Sequence, residues 1–260
     1  MAIDPVFGDF DLRNAAADGM EEAVAWYTVG VVSDNGTGLG TASAILWRSH
    51  TLLLTARHLI GTTAPENLFF FFRPGGTLDR HNARELQPGL RLPTLERIRV
   101  DIQQVHTSSL HDLIVLDVTQ TQLEGTVNVQ FFEEIEQSST PDAGQVVVLM
   151  GFPADLGRPV QQGGLAAFRS VEWTQIEEPI RIDDFDPQVA FLLRYQSADE
   201  GRAPRGFSGA GVWYRTNSPT VWHPNLRLAG VVTKYYPRLR LLESVRIEVV
   251  KEFLEETFSR

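Results

Sequence analysis

From residue 25 onward, apolar side chains fall in short runs or alternate with polar ones, and helical spacing is confined to the two ends of the chain. In Ile98-Arg99-Val100-Asp101-Ile102 the apolar positions alternate, as they do in a half-buried strand. Phe69 to Phe72 and Leu113-Ile114-Val115-Leu116 are unbroken runs and read as buried strands. The pattern predicts strands at Tyr27–Val32, Thr41–Trp47, Thr51–Thr55, Leu68–Phe72, Ile98–Val105 and Leu113–Val118. Turn chemistry separates them at Asp34-Asn35-Gly36, Arg73-Pro74-Gly75-Gly76 and Gln87-Pro88-Gly89. After the polar stretch Gln137 to Gly144, a second series is expected at Gln145–Met150, Gly164–Val171, Val189–Tyr195, Gly211–Tyr214 and Leu228–Thr233. Ala15 to Ala17 and Glu21-Glu22 hint at a short helix before the first strand. From Glu243 to Phe258, Ile247, Val250, Leu254 and Phe258 recur at helical spacing and predict an amphipathic terminal helix. The expected organisation is an extension (1–24), a β-lobe (25–136), a linker (137–144), a second β-lobe (145–242) and a closing helix (243–260).

Composition narrows the function classes. With 43% hydrophobic and 22% charged residues, the 260-residue chain has ordinary globular composition and enough length for a sizeable core. It has no cysteine, which removes both disulfides and thiolate chemistry. A net charge of −10 argues against binding nucleic acid or an anionic membrane surface. No apolar run approaches the roughly 20 residues that span a bilayer. Met1-Ala2-Ile3-Asp4-Pro5 lacks the basic and apolar start of a secretory leader, so a cytoplasmic location is expected.

Three short motifs carry the chemistry. His58 follows the strand-like run Leu52-Leu53-Leu54-Thr55, Asp112 opens a buried strand, and Ser208 lies in Gly206-Phe207-Ser208-Gly209-Ala210-Gly211. A histidine, an aspartate and a serine suggest a nucleophilic hydroxyl, its general base and the carboxylate that orients the base. Asp117 competes with Asp112, but periodicity puts it inside the strand rather than at its mouth. Glycine at 206 permits an unusual backbone angle, and a tight turn there can aim the amides of Gly206 and Ser208 at one oxyanion. A hydrolase elbow would need Gly-x-Ser-x-Gly with acid and histidine after the serine. Here position 210 is alanine and only His223 follows, so that architecture fails on order.

On these motifs the chain resembles the chymotrypsin-like (trypsin-like) serine peptidases over most of residues 25–258. Gly38-Leu39-Gly40-Thr41-Ala42 and Gly230-Val231-Val232-Thr233 support the likeness, and Met150-Gly151-Phe152-Pro153 is similar to a turn of the bacterial, cysteine-free branch. The resemblance implies an all-β fold of two six-stranded Greek-key β-barrels with a C-terminal α-helix. It implies a serine endopeptidase with catalytic His58, Asp112 and Ser208, an oxyanion hole of the Gly206 and Ser208 amides, and no cofactor. The spacings of 54 and 96 residues let one barrel supply His and Asp and the other Ser.

Departures from the family pattern are informative. Arg57 stands where a second small residue is common, and Phe207 replaces the aspartate that pairs with a new N-terminus in activated digestive members. Activation of that kind is therefore not expected. The same resemblance places Arg202, Arg205, Thr233, Lys234 and Tyr235 around the substrate, where the basic groups would favour an acidic side chain. The expected partner is a protein or peptide substrate. A regulatory protein partner, or a silent two-barrel scaffold, is the alternative, and nothing in the sequence speaks to oligomeric state. His106 and His111 lack zinc-signature spacing, so no metal is assigned. The acidic runs Glu133-Glu134-Ile135-Glu136 and Asp183-Asp184-Phe185-Asp186 read as solvated loops. Trp47, Trp173, Trp213 and Trp222 read as core or rim.

Overall fold

Each apolar run has to bury two faces, and the strand period decides which residue goes where. A computed structural model describes residues 19–33, 39–61, 63–74, 96–121, 127–152, 158–160, 164–166, 170–200, 203–216 and 225–259. In the first half lie β1 (Thr28–Ser33), β2 (Leu39–Trp47), β3 (His50–Ala56), β4 (Leu68–Pro74), β5 (Glu96–Ile98), β6 (Gln104–Thr107), β7 (Leu113–Asp117) and β8 (Val127–Asn128). The second half holds β9 (Val146–Gly151), β10 (Arg158–Val160), β11 (Gly164–Ala166), β12 (Ser170–Glu177), β13 (Ala190–Arg194), β14 (Gly211–Arg215), β15 (Leu226–Tyr236) and β16 (Leu241–Arg246). Helical residues 19–26 precede β1, and the terminal helix spans Ile247–Phe258.

The first sheet runs β5-β4-β1-β2-β3-β7-β6, with β8 attached to β4. Its two ends, β5 and β6, are consecutive in the chain and separated only by residues 99–103, so together they act as one strand. Counted that way, the sheet is a six-stranded barrel. The second sheet closes outright as β12-β13-β16-β15-β14-β9. Both halves thus use the same antiparallel order, in which the third strand pairs with the sixth. The fold is the expected one: two six-stranded barrel-like sheets and a C-terminal helix.

Alternation sorts the side chains. Leu53, Ile114 and Leu116 fill the first barrel with Val29, Val31 and Phe70. Val147, Leu149, Val212 and Tyr214 fill the second with Phe191 and Phe207. The intervening residues Leu52, Leu54, Leu113, Val115, Val148, Met150 and Trp213 face outward into a third cluster, which also holds Ile247, Val250, Phe253 and Leu254 of the terminal helix. Burial on both faces explains why these strands read as continuous apolar runs.

Three expectations need revision. The strand expected over Ile98–Val105 is interrupted, because it pairs with β4 through Ile98 and with β7 only from Gln104 onward. The change of partner turns a barrel corner. The strand expected over Gly164–Val171 is two strands: β11 pairs with β10, while β12 begins at Ser170 and pairs with β9. The helix expected from Glu243 starts at Ile247, and Leu241–Arg246 is the sixth strand of the second barrel, between β13 and β15. The helical spacing itself begins only at Ile247, where the helix starts.

The segment joining the barrels is tied down. The Thr140 amide donates to Glu248 Oε1 at 2.8 Å, and its hydroxyl lies 2.7 Å from Glu248 Oε2. Arg48, in the β2–β3 turn, reaches Glu255 at 2.6 Å. The helix thereby touches the connector and the first barrel while packing on the second. Among the described residues no helix is long and apolar enough to cross a membrane.

Candidate active site

The register of β3 against β7 brings the first two residues together. These strands are antiparallel with Ala56 opposite Leu113, so the residues just beyond, Arg57 and Asp112, also meet. The Arg57 amide donates to the Asp112 carbonyl at 3.2 Å. A single helical turn, Arg57–Ile60, then carries His58 over the carboxylate. Asp112 Oδ2 lies 2.5 Å from His58 Nδ1, and Asp112 Oδ1 accepts the His58 amide at 2.9 Å. With Nδ1–H turned to the carboxylate, Nε2 is left to accept, and it sits 3.0 Å from Ser208 Oγ.

Asp117, the competing carboxylate, faces elsewhere. It lies 3.0 Å from His50 Nδ1 and accepts the Thr119 amide at 2.9 Å. Burial, the largest influence, pushes its carboxyl up, but the hydrogen bonds from Thr119 and His50 together hold it below the ordinary range.

Ser208 sits in the loop before β14, and the loop is stitched to both barrels. The Gly209 amide donates to the Val232 carbonyl at 2.8 Å, and the Thr41 amide donates to the Ser208 carbonyl at 3.0 Å. Gly206 and Gly209 have φ values of 99° and 83°, in the left-handed region that favours glycine. The amides of Phe207, Gly209 and Ala210 donate to Pro204, Val232 and Phe207. Among the described residues, the amides of Gly206 and Ser208 have no intramolecular acceptor. They are the two donors an oxyanion would need. The Phe207 side chain is fully buried, edge-on to Tyr195 at 6.0 Å.

Arg57 braces the site from outside. Its guanidinium donates to the Ser108 carbonyl at 2.9 Å, and Ser108 Oγ in turn accepts the His111 amide at 3.1 Å. The loop that delivers Asp112 is thus held at both ends. Thr41 contributes more: its hydroxyl donates to the Gly206 carbonyl at 2.7 Å. The sequence carries a faint signal for this. Thr41, Ser43 and Thr55 are small polar residues inside strands, and all three are buried.

The residues expected around a substrate are placed unevenly. Arg202 lies outside the described residues. Arg205 is exposed. Thr233 is buried beside a bulge in β15, and the Lys234 ammonium lies 4.7 Å from the centre of the Tyr236 ring. Tyr235 is half-buried, edge-on to Tyr195 at 5.9 Å. Pairing of β15 with β14 ends at Val231, whereas β16 accompanies β15 to Tyr236. Among the described residues, the backbone of Thr233–Tyr235 therefore has a free edge beside Ser208.

No protein-family model and no curated protein sequence matches the chain. Among solved structures, scabies mite inactivated protease paralogue S-I1 is similar, with a TM-score of 0.55 and 13% identity over 91% of this chain and 95% of that one. Scabies mite inactivated protease paralogue S-D1 is similar at a TM-score of 0.58 and 12% identity, over 90% of this chain and 92% of that one. At such identities the likeness is one of fold, and the fold is the chymotrypsin-like pair of barrels.

Proposed function

We propose that the chain is a serine endopeptidase. The observation that carries this reading is the unbroken line from Asp112 Oδ2 through both His58 nitrogens to Ser208 Oγ. In the proposed reaction His58 Nε2 takes the Ser208 proton as Oγ attacks the scissile carbonyl carbon. The amides of Gly206 and Ser208 hold the oxyanion, and Asp112 stabilises the imidazolium. The tetrahedral adduct collapses as His58 gives its proton to the leaving amine, leaving an acyl ester on Ser208. Water, deprotonated by His58, then attacks the ester and releases the acid. The free edge at Thr233–Tyr235 suits an extended peptide, which would pair there as an added strand. Arg205, Lys234 and Arg202 favour an acidic side chain at the cleavage site. A cleaved-peptide library without enrichment of Asp or Glu removes that preference.

A second reading draws on the structural neighbours, both described as inactivated proteases. On it the chain is a two-barrel scaffold without turnover. Labelling with a fluorophosphonate separates the two: the peptidase reading expects covalent labelling of the native chain and none of Ser208→Ala. Equal labelling of both, or of neither, overturns it.

A further inference from the structure

Thr41 belongs to the first barrel, yet it touches the nucleophile loop of the second through two polar atoms. Its amide donates to the Ser208 carbonyl at 3.0 Å, and its hydroxyl donates to the Gly206 carbonyl at 2.7 Å. The same hydroxyl accepts the Phe152 amide at 3.1 Å, and the Thr41 carbonyl accepts the Thr55 hydroxyl at 2.6 Å. Thr41 is fully buried. We propose that Thr41 is a positioning residue for the oxyanion site, its hydroxyl fixing the peptide plane after Gly206 so that the Gly206 amide stays presented to substrate. The inference rests on the peptidase reading of Ser208.

Gly206 has no side chain to restrict its rotation, and it is held at a φ of 99°. Two rotations, φ and ψ of Gly206, link its amide to the peptide plane that follows, and the clasp on the carbonyl holds that plane still. Without the hydroxyl, the buried Gly206 carbonyl and Phe152 amide both lose a partner, which is unfavourable in a dry interior. Freed of the clasp, that plane can turn and carry the Gly206 amide away from where the oxyanion would form. With that donor lost the developing negative charge is less well stabilised, so the loss falls on the chemical step.

The test compares Thr41→Val, which keeps the shape and loses the hydroxyl, with Thr41→Ser, which keeps the hydroxyl. The readouts are the rate of Ser208 phosphonylation by a fluorophosphonate across pH, and amide hydrogen exchange in residues 203–211. T41V should label about 10²-fold more slowly, the effect of losing one oxyanion donor, with the midpoint of its rate–pH profile unmoved. T41S should retain most of the native rate, and exchange should rise in T41V alone. Native labelling and native exchange in T41V overturn the proposal, as does an equal loss in T41S. Should T41V fail to fold, Thr41→Ala carries the same comparison. If exchange rises in T41V while the native chain takes no label at Ser208, the clasp is supported and the peptidase reading falls.

Discussion

Asp112 grips His58 at two points, with Oδ2 2.5 Å from the ring Nδ1 and Oδ1 2.9 Å from the backbone amide. Both the tautomer and the position of the imidazole therefore depend on one carboxylate. Asp112→Asn keeps the size of the side chain but lets its amide donate to Nδ1, which favours the wrong tautomer. Peptide cleavage should fall about 10⁴-fold while the fold is kept. Steady-state kinetics beside a circular dichroism spectrum checks this, and a loss under tenfold is incompatible with the assigned role.

Gly209 allows no side chain. A Cβ there would lie 1.9 Å from the Thr41 carbonyl oxygen and 2.1 Å from Thr55 Oγ1, at a φ of 83°. Gly209→Ala must part the barrels or bend the loop, and it should cost roughly 3–5 kcal/mol of stability. Urea denaturation measures the cost. A variant as stable as the native chain would show that this approach between the barrels is looser than it looks.

Phe207 is held by packing. It is fully buried among Tyr195, Ala210 and Val212, and carries no charge to pair with a new amino group. Phe207→Ala should destabilise the protein by about 3–5 kcal/mol. The intact chain should react with a fluorophosphonate as fast as one trimmed within the first 18 residues. An inert intact chain revived by trimming contradicts this account.

Acid should unfold the protein. Burial, partly offset by Asp117, holds His106 below its ordinary 6.5, so the unfolded chain takes up this proton first and stability is lost as pH falls through that value. Asp117 and Glu248 are both held below their ordinary values of 3.8 and 4.5. For Glu248, burial opposes the shift and the Thr140 hydrogen bonds outweigh it. A depressed carboxylate stabilises the fold above its ordinary value and stops doing so as pH falls, so all three groups act in one direction. The thermal midpoint should drop as pH falls below about 6.5 and again below about 4.5, and His106→Gln should remove the upper part of the drop. A flat profile contradicts the shifts.

Much of this was readable in the chain because function sits at strand ends. His58 and Asp112 each lie at the boundary of an apolar run, and paired strands bring such boundaries together. Ser208 announces itself by its glycines. Strand β16 was hidden because a buried strand running straight into a helix shows no turn residues and no change of composition. The division between β5 and β6 was hidden for another reason: alternation records which face a side chain takes, not which neighbour the backbone pairs with. Thr41 was legible only as a small residue before the histidine strand, since a buried hydroxyl reveals its partner only in three dimensions.

The terminal helix follows every barrel strand in the chain, yet it shares one buried cluster with Leu52, Leu54, Leu113 and Val115 of the first barrel and with strands of the second. During synthesis those four residues emerge early and stay uncovered until the second barrel and the helix have left the ribosome. The first barrel is then a waiting half with a sticky side. Its ordering, and with it the setting of His58 against Asp112, then waits on segments made well after it.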